Sequence, residues 1–282
     1  MLELAPTPQE AAIASRICSS LRTTMRILRI RHNSAEYFAR WVDQATARLW
    51  TAAPWDSGTE TDRLVPIRPG SLLCPIVPSK VVCVGRNYQA HVKELGNEVP
   101  KSPLLFLKPP SALLAPGEAI ELPPQSERVE HEAEIGVVIG RRVKNATLEE
   151  AKAAVFGITC VNDVTARDLQ KQDVQFTRAK GFDTFCPCGP WIETDDPLAP
   201  RSVTLRVDSY ARQNGHSRDM IWPIEELVRF ISTVMTLMPG DLVSTGTPEG
   251  VGPLRHGDRV ELEVEGVGVL TNPVVGLESA GS

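Results

Sequence analysis

No run of apolar residues in this 282-residue chain approaches the roughly 18 needed to cross a bilayer, and no basic segment followed by an apolar core opens it. The expectation is a soluble, cytoplasmic protein that is neither membrane-bound nor secreted. Cysteine is sparse. The six residues Cys18, Cys74, Cys83, Cys160, Cys186 and Cys188 have neither the density nor the spacing of a disulfide framework, which suits reduced thiols. Cys186-Pro-Cys188 lacks the two-residue spacer of redox pairs and a second ligand pair, so structural thiols are the simpler reading. Positive charge is not in excess either: the net charge is -5 and the basic residues are scattered, so no nucleic-acid partner is indicated. Internal repeats, a phosphate-binding Gly-rich loop and a dinucleotide fingerprint are all missing.

With 42% hydrophobic and 23% charged residues, the chain can fold as one large domain or roughly two small ones. Residues 1–24 are rich in Ala, Ser and Thr without clear periodicity and read as a flexible N-terminal extension. From Met25 to Arg31 apolar and basic residues alternate as in a half-exposed strand. Ala53 to Pro69 has the Pro, Asp, Gly and Thr content of a linker, and a boundary near residue 75 divides a small N-terminal domain, 25–75, from a larger one, 76–282. The larger part is mostly β. Short apolar runs separated by Pro and Gly recur at Val81–Val84, Leu104–Leu107, Ile135–Ile139, Phe156–Val161, Val203–Val207, Asp241–Ser244, Val260–Val264 and Val267–Leu270. Helical periodicity is confined to Asn87–Leu95, Thr147–Ala154 and Pro223–Met238.

The strongest local signal is His131-Glu132-Ala133-Glu134 running into Ile135-Gly-Val-Val-Ile139. Side chains two apart on a strand share a face, so Glu132 and Glu134 would set two carboxylates beside a hydrophobic strand, where they demand a cation or a proton. Asp163 follows the apolar run Phe156–Val161 and would arrive at the same place. Three carboxylates with no nearby Cys make an oxygen-ligand site that favours Mg²⁺ or Mn²⁺ over Zn²⁺. The solvated face of an edge strand would show the same acidic pair. His91 and Glu94 lie three apart, within mutual reach on one helical face, so the carboxylate could orient the imidazole as a general base; an incidental surface histidine has the same spacing. Lys108 and Lys180, flanked by apolar residues, could stand at a pocket rim or extend to solvent. Thr245-Gly-Thr-Pro-Glu-Gly250 is a turn-rich loop whose hydroxyls and amides could bind a carboxylate, though such loops commonly only turn.

Taken together, six collinear segments resemble the fumarylacetoacetate hydrolase family, particularly its smaller bacterial members, the acylpyruvases and the 2-hydroxyhepta-2,4-diene-1,7-dioate isomerases. They are Val84-Gly-Arg-Asn-Tyr88 through His91, Phe106-Leu-Lys-Pro109, His131-Glu-Ala-Glu-Ile-Gly136, Asn162-Asp-Val-Thr-Ala-Arg-Asp168, Lys180-Gly-Phe-Asp-Thr-Phe-Cys-Pro187, and Asp241 through Gly252. The resemblance implies an α+β, mostly β fold: a mixed β-roll or barrel catalytic domain with a few short helices and a small N-terminal domain. It also implies Mg²⁺ or Mn²⁺ held by Glu132, Glu134 and Asp163, a water-activating pair His91 and Glu94 on a segment that closes over substrate, and an oxyanion-stabilising Lys180. Arg86, Tyr88, Lys108, Arg167, Gln170 and Thr247 match substrate-binding positions, and a homodimer is expected. One departure is Val207-Asp-Ser-Tyr-Ala-Arg212, where relatives often carry an Asn-Gly hairpin, leaving the strand register there open. A second is a connection from Asp168 to Lys180 that is shorter than in some animal acylpyruvases.

The implied activity is metal-dependent hydrolysis of a C–C bond in a small 2-oxo or 1,3-dicarbonyl acid, an acylpyruvate or a fumarylacetoacetate-like compound. An isomerase or a decarboxylase of 2-oxo dicarboxylic acids needs only charge stabilisation and a proton shuttle, and fits the same motifs. A non-catalytic binding member is the reading from a different class, and turnover separates it from the other two.

Overall fold

The structure, a computed structural model, describes residues 25–96 and 98–276, so the expected extension 1–24 lies outside it. Strands dominate and form three sheets. The largest runs in space as Glu60–Pro66, Thr46–Trp50, Ala35–Asp43, Arg26–His32, Cys186–Glu193, Val155–Asn162, Ala133–Ile139, Leu242–Ser244, Val81–Gly85 and Leu104–Lys108. A second sheet sets Val129–His131 between Thr165–Ala166 and Gly252–Pro253. The third runs Tyr210–His216, Ser202–Val207, Arg259–Val264, Gly268–Val275 and Ile120–Glu121. The five α-helices among the described residues are short: α1 (Gln89–Glu94), α2 (Leu148–Ala154), α3 (Arg167–Gln172), α4 (Thr177–Lys180) and α5 (Ile224–Val234). The mostly β, α+β expectation therefore holds.

The central strands read as near-continuous apolar runs because they are covered on both faces. Every residue of Ala133–Ile139 is buried, between Val155–Asn162 on one side and Leu242–Ser244 on the other. Ile135, Val137 and Ile139 enter the main core, each contributing about 1.5–3 kcal/mol on burial. Two helices close that core from outside. Thr147 and Glu150 form a reciprocal capping box that starts α2, and Ile224, Leu227, Val228 and Ile231 turn the apolar face of α5 inward.

Three expectations about elements need correction. The stretch from Ala53 to Pro69 is not a plain linker: Glu60–Pro66 pairs with Thr46–Trp50 as the last strand of the large sheet, its proline at the strand end. The helix expected to reach Met238 stops at Val234, because Val143 and Leu237 exchange backbone hydrogen bonds of 3.0 Å each and draw the chain into an extended bridge. The helix expected over Asn87–Leu95 is limited to Gln89–Glu94, since Asn87 and Tyr88 stay extended to bond Ile221 and to bridge Met220. At the open register, Asp208 and Ser209 adopt left-handed φ values of 50° and 69°, forming a two-residue turn across which Val207 pairs with Tyr210. The N-terminal strands extend the large sheet, with Arg26 and Ile27 opposite Glu193 and Ile192.

Candidate active site

The acidic centre forms where the first and second sheets meet. Glu132 sits in a one-residue break between Val129–His131 and Ala133–Ile139, where the chain leaves one sheet for the other. Its backbone N–H donates to Asn162 Oδ1 at 2.9 Å, and its carbonyl accepts from Asp163 N at 2.9 Å. Those bonds align the break with the end of Val155–Asn162. Ligand oxygens of Glu132, Glu134 and Asp163 all lie within 4.8 Å of one another, and all three residues are buried. The same-face expectation for Glu132 and Glu134 is met by convergence, though Glu132 is outside the strand proper.

Buried cations surround two of the three carboxylates. Lys180 Nζ, at the end of α4, donates to Glu132 Oε2 at 2.8 Å and to Asp163 Oδ2 at 2.6 Å. Lys108 Nζ, at the end of Leu104–Lys108, donates to Asp163 Oδ1 at 2.5 Å and to the Val164 carbonyl at 3.0 Å. Arg167, the first residue of α3, donates from each of its three guanidinium nitrogens: Nε to Glu130 Oε2 at 2.7 Å, Nη1 to Gln170 Oε1 at 2.6 Å, and Nη2 to Glu132 Oε1. Burial alone would raise Glu132, but Lys180 and Arg167 hold its carboxyl well below the ordinary range. Burial likewise opposes the charge of Lys180, yet Asp163 and Glu132 outweigh it and keep the ammonium above its usual value.

Glu134 is different. Among the described residues no lysine or arginine pairs with it; Oε2 accepts from Ser244 Oγ at 2.5 Å and from Gly246 N at 2.8 Å. Burial, then the neighbouring Asp163 and Glu132, push its carboxyl up to about 8. Of the three carboxylates, Glu134 is thus the one with no lysine or arginine paired to it among the described residues.

His91 is buried on α1, its Nδ1 lying 3.1 Å from Glu94 Oε2. A carboxylate only accepts, so Nδ1 carries a proton, and in the neutral ring Nε2 is the acceptor. Glu94 Oε1 in turn accepts from Gly250 N at 3.0 Å, which ties the end of α1 to loop 245–250. A cavity of about 430 Å³ is lined by this pair, the three carboxylates, Arg86, Arg167, Gln170, Lys180 and Thr247, with Phe106 and Phe176 on an apolar side.

Two of the expected substrate contacts stand elsewhere. Lys108 is not at a rim and does not line the cavity; it is 1% exposed, behind Asp163, because its ammonium is consumed by that carboxylate and by Val164. Tyr88, buried, does not line this cavity and lines a separate depression beside α1. Residues that motif reading overlooked include Glu130, which holds Arg167; Ser244, which holds Glu134; and Lys171, which lines the cavity, whereas Gly246 N binds the Glu134 carboxylate as expected of the loop's amides. Glu130 adjoins the acidic motif and was within its reach; Lys171 carries no signal beyond proximity to Gln170.

Sheets of this order meeting at a buried carboxylate triad, with a histidine–carboxylate pair across a small cavity, define a β-rich fold with a candidate divalent-metal centre. The chain belongs to the fumarylacetoacetate hydrolase family: residues 80–275 match the family described as fumarylacetoacetate (FAA) hydrolase C-terminal, and residues 25–75 match the Rv2993c-like N-terminal family. It is 47% identical over 235 residues to Protein Rv2993c of Mycobacterium tuberculosis, covering 82% of this chain and 89% of that protein. The mitochondrial oxaloacetate tautomerase FAHD2A of Bos taurus is 42% identical over 227 residues, covering 75% of this chain and 72% of the bovine protein. The crystal structure of 2-hydroxyhepta-2,4-diene-1,7-dioate isomerase from Mycobacterium marinum superposes with a TM-score of 0.83 at 42% identity, covering 90% of this chain and all (100%) of that one.

Proposed function

We propose that this chain is a divalent-metal-dependent enzyme that moves a proton on small 2-oxo dicarboxylic acids, interconverting keto and enol forms. The observation that carries the reading is one small cavity lined by both the His91–Glu94 pair and the three carboxylates. Relatives named for oxaloacetate tautomerisation and dienoate isomerisation support proton transfer as the reaction type.

The residues fit Mg²⁺ or Mn²⁺: three hard oxygen donors lie within 4.8 Å of one another, and one of them, Glu134, has no lysine or arginine paired with it among the described residues. Bound there, the ion supplies Lewis acidity to a chelating 2-oxo acid. Lys180, already fixed between Glu132 and Asp163, adds positive charge beside the oxygen on which negative charge grows. Nε2 of His91 accepts a proton from the carbon next to the carbonyl and returns it to oxygen, while Glu94 stabilises the imidazolium in between. Arg86, Gln170 and Lys171 offer polar contacts for the carboxylates of the acid. By family resemblance the working unit is a homodimer.

Hydrolysis of a C–C bond is a second reading, favoured by the orientation of the same pair: an imidazole with a free acceptor nitrogen can take its proton from water instead of carbon. The test supplies oxaloacetate and acylpyruvates with Mg²⁺ or Mn²⁺ and follows enol absorbance together with carbon-chain products. Enol loss without cleavage supports tautomerisation; cleavage as the sole reaction makes the chain a hydrolase; no turnover of either class defeats the enzymatic reading.

A further inference from the structure

Loop 245–250 touches each part of the candidate site. Gly246 N holds Glu134, Thr247 lines the cavity, and Gly250 N holds Glu94. The start of the loop bonds directly to Ala133–Ile139 through Thr245 and Thr247 and to Asn87; its far side packs on the strand Tyr210–His216 of the third sheet, which contributes no cavity-lining residue. Two glycines let strand and loop approach: a Cβ on Gly215 would lie 2.4 Å from Pro248 Cβ, and one on Gly250, whose φ is +95°, would lie 2.2 Å from the Arg212 carbonyl oxygen. Between them Gln213, 1% exposed, reaches inward.

The amide of Gln213 uses all of its hydrogen-bonding capacity. Oε1 accepts from Ala133 N at 2.9 Å, at the residue between Glu132 and Glu134, and lies 2.9 Å from His131 Nδ1. Nε2 donates to Thr247 Oγ1 at 2.8 Å and to the Pro248 carbonyl at 2.9 Å. The orientation follows from the partners, because a backbone N–H can only donate and a carbonyl can only accept. Thr247 Oγ1 then donates its one proton to the Ala133 carbonyl at 2.9 Å. Its hydroxyl therefore meets the cavity as an acceptor alone.

We propose that Gln213 is a positioning residue that locks the loop bearing Thr247 and the Glu94 anchor to the strand bearing the carboxylates, so that the proton-transfer pair and the metal centre share one frame. Its kinetic consequence rests on the function proposed above; its structural consequence does not. Gln213→Glu is the discriminating change, since a carboxylate keeps the acceptor half toward Ala133 and His131 and abolishes the donor half toward Thr247 and Pro248. Gln213→Met, similar in length, removes both halves and serves as the second variant should the added charge prevent folding.

Hydrogen–deuterium exchange of the full chain, with and without Mn²⁺, is compared with steady-state turnover of oxaloacetate. For both variants, amides of 245–250 exchange about tenfold faster or more while Ala133–Ile139 and Val155–Asn162 keep wild-type protection, and kcat falls about tenfold or more. Addition of Mn²⁺ still protects the Gln213→Glu centre. Wild-type exchange in the loop, a loss spread evenly through the strands, or undiminished kcat despite faster loop exchange overturns the assignment. If the wild-type protein turns over no substrate, the proposed function has failed, and the exchange arm alone still decides the role of Gln213.

Discussion

Replacing Glu134 by Gln isolates the one carboxylate of the three that no lysine or arginine pairs with among the described residues. The amide is nearly isosteric, and its oxygen can accept the bonds from Ser244 and Gly246 that the carboxylate now accepts. In the metal-free protein burial, reinforced by Asp163 and Glu132, lifts Glu134 from an ordinary 4.5 to about 8. The folded state thus holds this proton more tightly than the unfolded chain. The associated stability is fully present below the unfolded value and is lost as pH rises through about 8. At about 1.4 kcal/mol per pKa unit the loss is on the order of 3–5 kcal/mol. The assay is thermal unfolding in chelator from about pH 5 to about pH 9, then again with Mg²⁺ or Mn²⁺. Wild-type protein should lose stability across that window and regain it with metal. Glu134→Gln should show a flatter profile, greater stability at the alkaline end and a much smaller response to metal. Superimposable pH profiles in chelator, or equal stabilisation by metal, would refute the reasoning.

His91→Ala should lower turnover of the preferred 2-oxo acid by about 10²–10⁴-fold while leaving metal binding intact, as measured by titration calorimetry beside kinetics; loss of both would make His91 structural. On the same preparation, metal-assisted decarboxylation of oxaloacetate should fall much less, and equal losses would mean that His91 shapes the cavity instead of moving a proton. Lys108→Met strips Asp163 of one of its two buried cations and should cost about 3–5 kcal/mol in urea unfolding without metal; a change below about 1 kcal/mol would contradict the pairing described. Sedimentation at micromolar concentration should give a dimer, and monomer alone would reject that assembly.

The acidic pair was legible because a period of two on an apolar strand is a strong signal, and Asp163 because an uninterrupted apolar run announces a buried strand with a definite end. What spacing could not show is that the chain changes sheets at Glu132, a tertiary event with no local pattern. Lys108 looked like a rim residue because a flanking proline says nothing of the carboxylate that awaits its ammonium 55 residues away. Tyr88 followed Arg86 into the expected site by motif adjacency, whereas it lines a neighbouring depression instead of the cavity. Gln213 lies on a half-exposed strand whose other polar residues face outward, and its partners are 80 and 34 residues away. Arg86 adopts a left-handed φ of 59° directly after Val81–Gly85, a turn that no residue type there advertises.

The pairing of Arg26 and Ile27 with Glu193 and Ile192 bears on how this chain can be trimmed. A fragment starting near residue 76 would keep every residue of the carboxylate centre, yet it would leave unpaired backbone along part of Cys186–Glu193 and uncover Ile192 and Cys188. A bare apolar edge of that kind invites strand-to-strand addition between copies. Such a fragment should be aggregation-prone for reasons unrelated to its chemistry, and the first 50 or so described residues serve the site by occupying an edge that another chain would otherwise take.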